Sequence, residues 1–258
     1  MGLPQLAMPL FSDTTPIPRE QVVAAWQSMF ADGPDMAPGE STDGVVEYKI
    51  EGERSVLVAH IPMPVPIDEV LGAVRSSWMW QVPDEPVRSH RAHAIVTATD
   101  QEAPLAAAWD VARVSAALLA AGSGAALYWG NSRQTHTREA AIQFVSERET
   151  PPVPLCVGIT ISVAPKKGLF AAAKKSLFSA ATHGLEALGH KELEVRDTKM
   201  GIGDLRMTLL DLASYVLENG PVLEHGQTFG PSANVRWRIT HEPSKLVDGR
   251  DAIVLGIP

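Results

Sequence analysis

The densest group of side chains able to do chemistry follows a short apolar run in the middle of the chain. Tyr128 and Trp129 end that run, and Asn131, Arg133 and His136 come directly after it. Tyr, Trp and Arg dominate the energetics of binding interfaces. Ligands also tend to bind where a strand ends and a loop begins, and that position is expected to expose these side chains. We therefore predict that these five residues form a binding surface.

A structural role for the same segment is the alternative. In that interpretation Tyr128 or Trp129 fills the core, while Asn131 and Ser132 cap the next element. Both interpretations remain open from the sequence.

A second polar group lies near the end of the chain, where Glu218, Asn219, Glu224 and His225 are close in sequence. Two carboxylates and a histidine can transfer protons if they converge. An enzyme of unrecognised type would use this group, with Glu224 and His225 beside the loop after Trp129. A polar turn without chemistry explains the same residues.

Other residues with metal-binding or reactive side chains do not form a known site. His90 and His93 are three positions apart at the start of a β-like run, where such side chains point to opposite faces and cannot chelate. Gly201 and Gly203 indicate a flexible helix entry more than an anion site. Cys156 is expected to be buried and inert, because an apolar environment suppresses its thiolate.

The motifs of common enzyme classes are missing from the sequence. It has no Gly-x-Ser-x-Gly elbow, no Ser-x-x-Lys pair and no phosphate-binding loop of the Gly-x-x-x-x-Gly-Lys-Ser/Thr type. We therefore predict no cofactor, no metal and no catalytic residue, so that a protein without catalysis is favoured over an enzyme.

The composition is that of a folded protein. The 258 residues are 45% hydrophobic and 20% charged, with 22 Lys+Arg against 30 Asp+Glu and a net charge of −8. An acidic chain gains nothing from phosphate neutralisation, so nucleic acid is not an expected partner. A single cysteine excludes an intramolecular disulfide. With no secretory signal pattern at the start and no apolar run of spanning length, we expect a cytoplasmic protein without a membrane span.

Hydrophobic periodicity in the first hundred residues predicts the order β-α-β-β-α-β. The predicted strands are 6–11, 45–50, 55–61 and 92–99, with helices after Pro18 and over 67–78. This is the order of a ferredoxin-like split βαβ arrangement.

The remainder is expected to alternate strands with helices, in a mixed or antiparallel sheet. The predicted helices are 105–121, 137–147, 170–188 and 204–218, and the predicted strands are 125–129, 155–163, 192–197, 235–240 and 252–257. The fold class is therefore α+β. We expect a single domain. If the chain divides, we expect two compact halves, 1–100 and 101–258.

Several blocks of the sequence resemble the bacterial domain-of-unknown-function family 4261. They read Ala-His-Ala-Ile-Val-Thr at 92–97, Ala-Ala-Leu-Tyr-Trp-Gly at 125–130, Thr-His-Gly-Leu-Glu-Ala-Leu-Gly at 182–189 with Glu-Leu-Glu-Val at 192–195, and Leu-Ala-Ser-Tyr-Val-Leu-Glu-Asn-Gly-Pro-Val-Leu-Glu-His-Gly-Gln-Thr-Phe-Gly at 212–230. Together they extend over roughly residues 90–257. The resemblance implies a bacterial intracellular protein, and it implies no reaction.

These observations favour a non-catalytic protein that binds another protein, for example an accessory or immunity-type protein that occludes its partner. The enzyme that uses Glu224 and His225 is the alternative. The partner and the oligomeric state are not determined by the sequence.

Overall fold

A computed structural model describes residues 3–100, 102–146, 152–163, 176–232, 235–247 and 249–257. The chain divides into two compact units, Met1–Cys156 and Val157–Pro258. The boundary expected from the sequence, for a chain with two halves, was near residue 100 instead. That position lies inside the first unit, because one strand near the start of the chain pairs with strands from both sides of it.

The first unit is one sheet covered by helices. Its strands are β1 (Gln5–Phe11), β2 (Met36–Thr42), β3 (Val45–Ile50), β4 (Arg54–Ile61), β5 (Ala92–Ala98), β6 (Gly124–Trp129) and β7 (Gln134–Thr137). Its helices are α1 (Arg19–Met29), α2 (Ile67–Ser76), α3 (Glu85–Arg88), α4 (Pro104–Ala121), α5 (Arg138–Ser146) and α6 (Val153–Cys156).

The strand order of this sheet is β2-β3-β4-β5-β1-β6-β7. A ferredoxin-like sheet would place β1 between β4 and β5. Here β5 pairs with both β4 and β1, and β1 continues the sheet to β6. The first unit therefore does not have the predicted ferredoxin-like order. Strands β2 and β7 were also absent from the prediction.

Helix α4 is the central helix of the first unit, in contact with α1, α5 and β1. It is long and apolar enough to pass for a membrane span by length and composition, a property shared by core helices of soluble proteins. Most of its residues are buried against the sheet and the neighbouring helices. One buried residue is charged: Asp110 pairs with Arg54 of β4.

The described residues of the second unit form a six-stranded sheet with one long helix. Its strands are β8 (Gly158–Val163), β9 (Phe178–His183), β10 (Glu192–Thr198), β11 (Thr228–Ser232), β12 (Val235–Pro243) and β13 (Asp251–Gly256), and its helices are a 3₁₀ turn (Glu186–Leu188) and α7 (Ile202–Asn219). The strand order is β11-β12-β13-β10-β9-β8. Strands β10 and β13 are parallel and the other neighbours antiparallel, which confirms the predicted mixed α+β architecture.

Helix α7 packs against β8 and β9, and the apolar residues along one of its faces form a leucine seam. Leu205, Leu209, Leu212 and Val216 are all buried, as their spacing along one helix face requires. The helix ends at Gly220, whose φ of 80° is readily adopted only by glycine. The predicted position of this helix is therefore confirmed.

Two predictions in the second half were wrong. Residues 178–183 were predicted as part of a helix, but they form β9, which is paired on both sides by β8 and β10. Residues 170–175 of the same predicted helix lie outside the described residues. The predicted strand over 155–163 begins only at Gly158, since Val153–Cys156 is a short helix.

Candidate functional site

The predicted binding surface lies on the hairpin of β6 and β7, and its two aromatic residues are buried. Trp129 is fully buried and Tyr128 is 5% exposed. The Tyr128 hydroxyl donates a hydrogen bond to Glu69 of α2 at 3.1 Å. Burial first, and then the Glu69 carboxylate, raise the pKa of Tyr128 to about 12. Both rings therefore belong to the core, and the expectation that they are exposed was wrong.

Asn131 joins this hairpin to the beginning of β1. Its Oδ1 accepts the Leu6 N–H at 2.8 Å, and its Nδ2 donates to the Pro4 carbonyl at 3.0 Å. Ser132 is buried and donates to the Leu155 carbonyl at 2.9 Å. The alternative interpretation is correct in giving Asn131 and Ser132 a structural role, but these side chains bind backbone groups of distant segments and do not cap the next element, β7. The physical reason is that the beginning of β1 and the segment around α6 both lie against this hairpin.

Arg133 is the one member of the predicted surface that is exposed, and it has a φ of 53°. His136 is 3% exposed and packs edge-on against Phe144 at 6.1 Å between ring centroids. Burial lowers the pKa of His136 to about 4, while the nearby Leu155 backbone acts in the opposite direction. His136 is therefore neutral at pH 7 and inaccessible to a partner.

We expect the buried His136 to make the protein less stable as the pH falls from about 6.5 to about 4. In that window the unfolded chain binds a proton on His136 and the folded protein does not, so protonation favours unfolding. The difference between the ordinary pKa of 6.5 and the pKa of about 4 in the folded protein corresponds to about 3 kcal/mol of stability. The free energy of unfolding, measured with urea at pH 7 and at pH 4, tests this expectation.

The control variants separate His136 from the other titrating groups. Between pH 7 and pH 4, the free energy of unfolding of His136→Leu should fall by about 3 kcal/mol less than that of the wild type. Arg133→Ala, in the same hairpin but exposed, should keep the wild-type dependence. An equal pH dependence of the wild type and His136→Leu would contradict the assignment.

Glu224 and His225 lie in the second unit, whereas the loop after Trp129 lies in the first. They line a cavity of about 230 Å³ together with His190 and His241. The Nδ1 of His225 accepts the His241 N–H at 3.0 Å, so a neutral His225 carries its proton on Nε2. Nε2 of His241 lies 2.8 Å from the Leu223 carbonyl, which fixes its proton on Nε2 as well.

Metal binding has no geometric basis among the described residues, where no group of three or more His, Cys, Asp or Glu could hold an ion. His90 accepts the Val65 N–H through Nε2 at 2.9 Å, and His93 Nδ1 lies 2.8 Å from the Met63 carbonyl. These two histidines therefore fix the loop before α2. The Cys156 thiol is buried, and burial raises its pKa to about 12.

A cleft of about 700 Å³, hereafter the α7 cleft, lies beside α7 in the second unit. Its lining is mainly apolar and aromatic, with few polar groups, as is typical of ligand sites. The lining residues are Lys199, Met200, Thr208, Asp211, Leu212, Tyr215, Phe229, Val235, Trp237 and Ile257.

Two aromatic rings form one wall of the α7 cleft. Tyr215 of α7 and Phe229 of β11 have ring centroids 5.2 Å apart. Trp237 of β12 lies deeper and is 6% exposed, whereas Tyr215 and Val235 are 37% and 41% exposed. The cleft therefore presents apolar groups to solvent, above a buried indole.

The cleft was not predicted from the sequence, although helix α7 was. The lining combines one face of α7 with strands β11, β12 and the segment after β13, which are far apart in sequence. One residue in the sequence could have indicated the cleft. Tyr215 is an aromatic residue of an amphipathic helix, and it lies outside the leucine seam of that helix.

Nine of the ten residues that line the α7 cleft lie within one stretch that matches a known family model. Residues 181–256 match a domain of unknown function, DUF4261. This match confirms the resemblance for the second unit, and the blocks at 92–97 and 125–130 lie outside it. No curated protein and no solved structure matches the chain.

Two buried glutamates in the DUF4261 region hold loops. Glu194 accepts hydrogen bonds from the Ser244 hydroxyl and from Arg196, and its carboxylate lies 3.1 Å from the Lys245 N–H. Glu192 binds the loop after β9 in the same manner. These hydrogen bonds give both carboxylates a structural role, so Glu192 and Glu194 are not candidates for catalysis.

Proposed function

We propose that this protein acts by binding another protein rather than by catalysis, and that an extended apolar segment of the partner occupies the α7 cleft. The observation that carries the proposal is the position of the cleft beside β11. In the described part of the chain, β11 is the edge of its sheet and pairs only with β12. An edge strand offers unpaired backbone groups to which a peptide can add as a further strand.

The side chains of the cleft match such a segment. Side chains of an extended peptide point alternately to opposite faces, so every second one would enter the cleft. Tyr215 and Trp237 are of the types that contribute most to binding interfaces. Lys199 and Asp211 are exposed and of opposite charge, so the cleft has no strong charge preference of its own.

We further propose that the protein is bacterial and cytoplasmic and has an accessory role. An immunity-type protein that occludes its partner is one example of such a role. The net charge of −8 favours a partner whose surface is neutral or basic. The isolated, buried thiol of Cys156 suits a reducing compartment.

The proposal predicts that Val235→Glu abolishes partner binding, because it places a carboxylate among the apolar groups of the cleft. Val222→Glu is the matched control. Val222 is 37% exposed and Val235 41% exposed, but Val222 does not line the cleft. Tagged wild type and both variants are used to capture proteins from the native cells, with identification by mass spectrometry.

A partner captured by the wild type and Val222→Glu, but not by Val235→Glu, supports the proposal. It is then purified and titrated against all three proteins by calorimetry, with thermal melts to show that each is folded. Equal capture by both variants would remove the α7 cleft from consideration. Native mass spectrometry that finds a small apolar molecule in the cleft instead of a protein would also contradict the proposal.

The alternative proposal is an enzyme that uses Glu224 and His225. The support for it is the cavity that these residues share with His190 and His241. An activity that is lost in His225→Ala but kept in Val235→Glu would select the enzyme over the binding protein.

A further inference from the structure

Strand β12 is apolar on one face and basic on the other. Val235 and Trp237 line the α7 cleft, and the residues that alternate with them, Arg236 and Arg238, are both exposed. Successive side chains of a strand point to opposite faces of a sheet, so the two arginines lie together on the face away from the cleft. Arg238 lies beside Gly256 of β13 there, since a Cβ added to this glycine would be 3.8 Å from the Arg238 Cβ.

The two arginines have no counter-charge among the described residues. Neither Arg236 nor Arg238 forms an ion pair or a side-chain hydrogen bond there, whereas Arg196 and Arg250 of the same unit are both paired with glutamates. Two like charges that lie two positions apart on one face repel each other. A ligand that brings negative charge to this face is therefore favoured.

Strand β11 separates the arginines from the open edge of the sheet, and its residues beside them are small. Thr228 lies opposite Arg238. Gly230 lies beside Arg236, because a Cβ added to this glycine would be 3.2 Å from the Arg236 Cα. A strand added to β11 would lie two strand spacings, about 10 Å, from β12. The long side chains of the arginines can extend over a threonine and a glycine toward carboxylates of that strand.

The backbone of β11 has groups that can bind such a strand. The Gln227 carbonyl accepts the Ile239 N–H at 2.9 Å. Residues that bond to the neighbouring strand alternate along an antiparallel ladder, so Phe229 bonds toward Trp237. The N–H and C=O of Thr228, between them, therefore point away from β12 and toward the open edge.

The local charge, rather than the net charge of −8, determines which side chains this edge prefers. Physiological salt screens charges that are separated by more than about 8 Å. Glu242 is the acidic residue on the same face of β12, four positions beyond Arg238, and it is paired with Arg196. Acidic side chains of an added strand would therefore meet two positive charges that no neighbouring carboxylate neutralises.

We propose that the segment that occupies the α7 cleft alternates apolar with acidic residues, and that Arg236 and Arg238 bind the acidic ones. This inference rests on the proposed function and specifies the chemistry of the partner. The apolar side chains enter the cleft beside Tyr215 and Trp237. The carboxylates, on the opposite side of the segment, accept hydrogen bonds from guanidinium groups, whose planar shape matches a carboxylate.

The test uses three labelled synthetic peptides of about eight residues, a length within the range of ordinary strands. In each peptide valine alternates with one other residue, which is glutamate, glutamine or lysine. Binding to the full chain is measured by fluorescence anisotropy at low salt. The wild type should bind the glutamate peptide about tenfold more tightly than the glutamine peptide, as for two exposed ion pairs, and the lysine peptide most weakly.

Charge reversal shows whether the arginines cause this order. Arg236→Glu with Arg238→Glu should invert it, so that the lysine peptide binds most tightly. Lys191→Glu with Lys245→Glu is the matched control, because it changes the net charge by the same amount at two exposed positions outside the α7 cleft. The control should keep the wild-type order. Thermal melts check that both double variants are folded, as expected for exposed positions.

The wild-type order, its inversion in the arginine variant and its preservation in the lysine variant together support the inference. Equal binding of the three peptides, lost in Val235→Glu, overturns the acidic preference but leaves the α7 cleft as the binding site. An arginine variant that keeps the wild-type order overturns it too. If the wild type binds none of the peptides, the inference is also overturned, and partner capture with Val235→Glu and Val222→Glu decides the proposed function separately.

Discussion

Replacement of Glu192 by alanine is expected to lower the free energy of unfolding by about 4–5 kcal/mol, because it leaves several buried donors without an acceptor. The carboxyl group, 1% exposed, accepts the Thr182 hydroxyl at 2.7 Å, the Gly184 N–H at 2.9 Å and the Glu186 N–H at 3.2 Å. Burial raises its pKa, and these hydrogen bonds act in the opposite direction.

Two further variants make this prediction specific. Glu192→Gln keeps one acceptor oxygen and should cost roughly half as much as the alanine variant. Glu186→Ala removes an exposed carboxylate of the same loop, paired with Arg250 at 2.7 Å, and should cost less than about 1 kcal/mol. Chemical denaturation provides all three values. A loss below about 1 kcal/mol in Glu192→Ala would show that other acceptors satisfy the loop.

Arg54→Met is expected to destabilise the protein by about 3–5 kcal/mol, since it leaves the buried Asp110 carboxylate unpaired. The Asp110 side chain is 3% exposed, and Arg54 binds it with Nε at 2.6 Å and Nη2 at 3.3 Å. Burial raises the pKa of Asp110, while the hydrogen bond from Arg54 lowers it. Removing Arg54 removes the contribution that favours the charged carboxylate.

The double variant distinguishes the unpaired charge from a general loss of packing. Arg54→Met with Asp110→Leu should regain most of the stability, because replacing both members of a buried ion pair by apolar residues is often neutral. Urea unfolding of the wild type, the single variant and the double variant gives the comparison. A double variant as unstable as Arg54→Met alone would refute the buried-charge explanation.

The elements that the sequence predicted correctly are those whose signals are local. Helix α7 has a leucine every three or four residues, and Asn219-Gly220-Pro221 ends it, so both its buried face and its C-terminus were predictable. The hairpin of β3 and β4 was also predictable, because two β-like runs flank the turn at Glu51 and Gly52.

The elements that the prediction missed depend on partners distant in sequence. Strand β9 contains two alanines and no Val or Ile, so its composition favours a helix, and it is a strand because β8 and β10 pair with it. Strand β2 contains Pro38 and Gly39, which weaken a strand signal. They are tolerated there because β2 is the edge of its sheet.

The same distinction between local signals and distant partners applies to the candidate site. The sequence by itself determined that the chain folds, that it is α+β, that it resembles DUF4261 near its end, and that common catalytic motifs are missing. Only the tertiary structure decided which polar and aromatic residues are accessible. Insertion of β1 between β5 and β6 buries Trp129, and Phe144 of α5 packs on the buried His136, whereas the sheet beside α7 leaves Tyr215 and Val235 exposed. Accessibility depends on which distant elements pack together, and periodicity along the chain does not encode that.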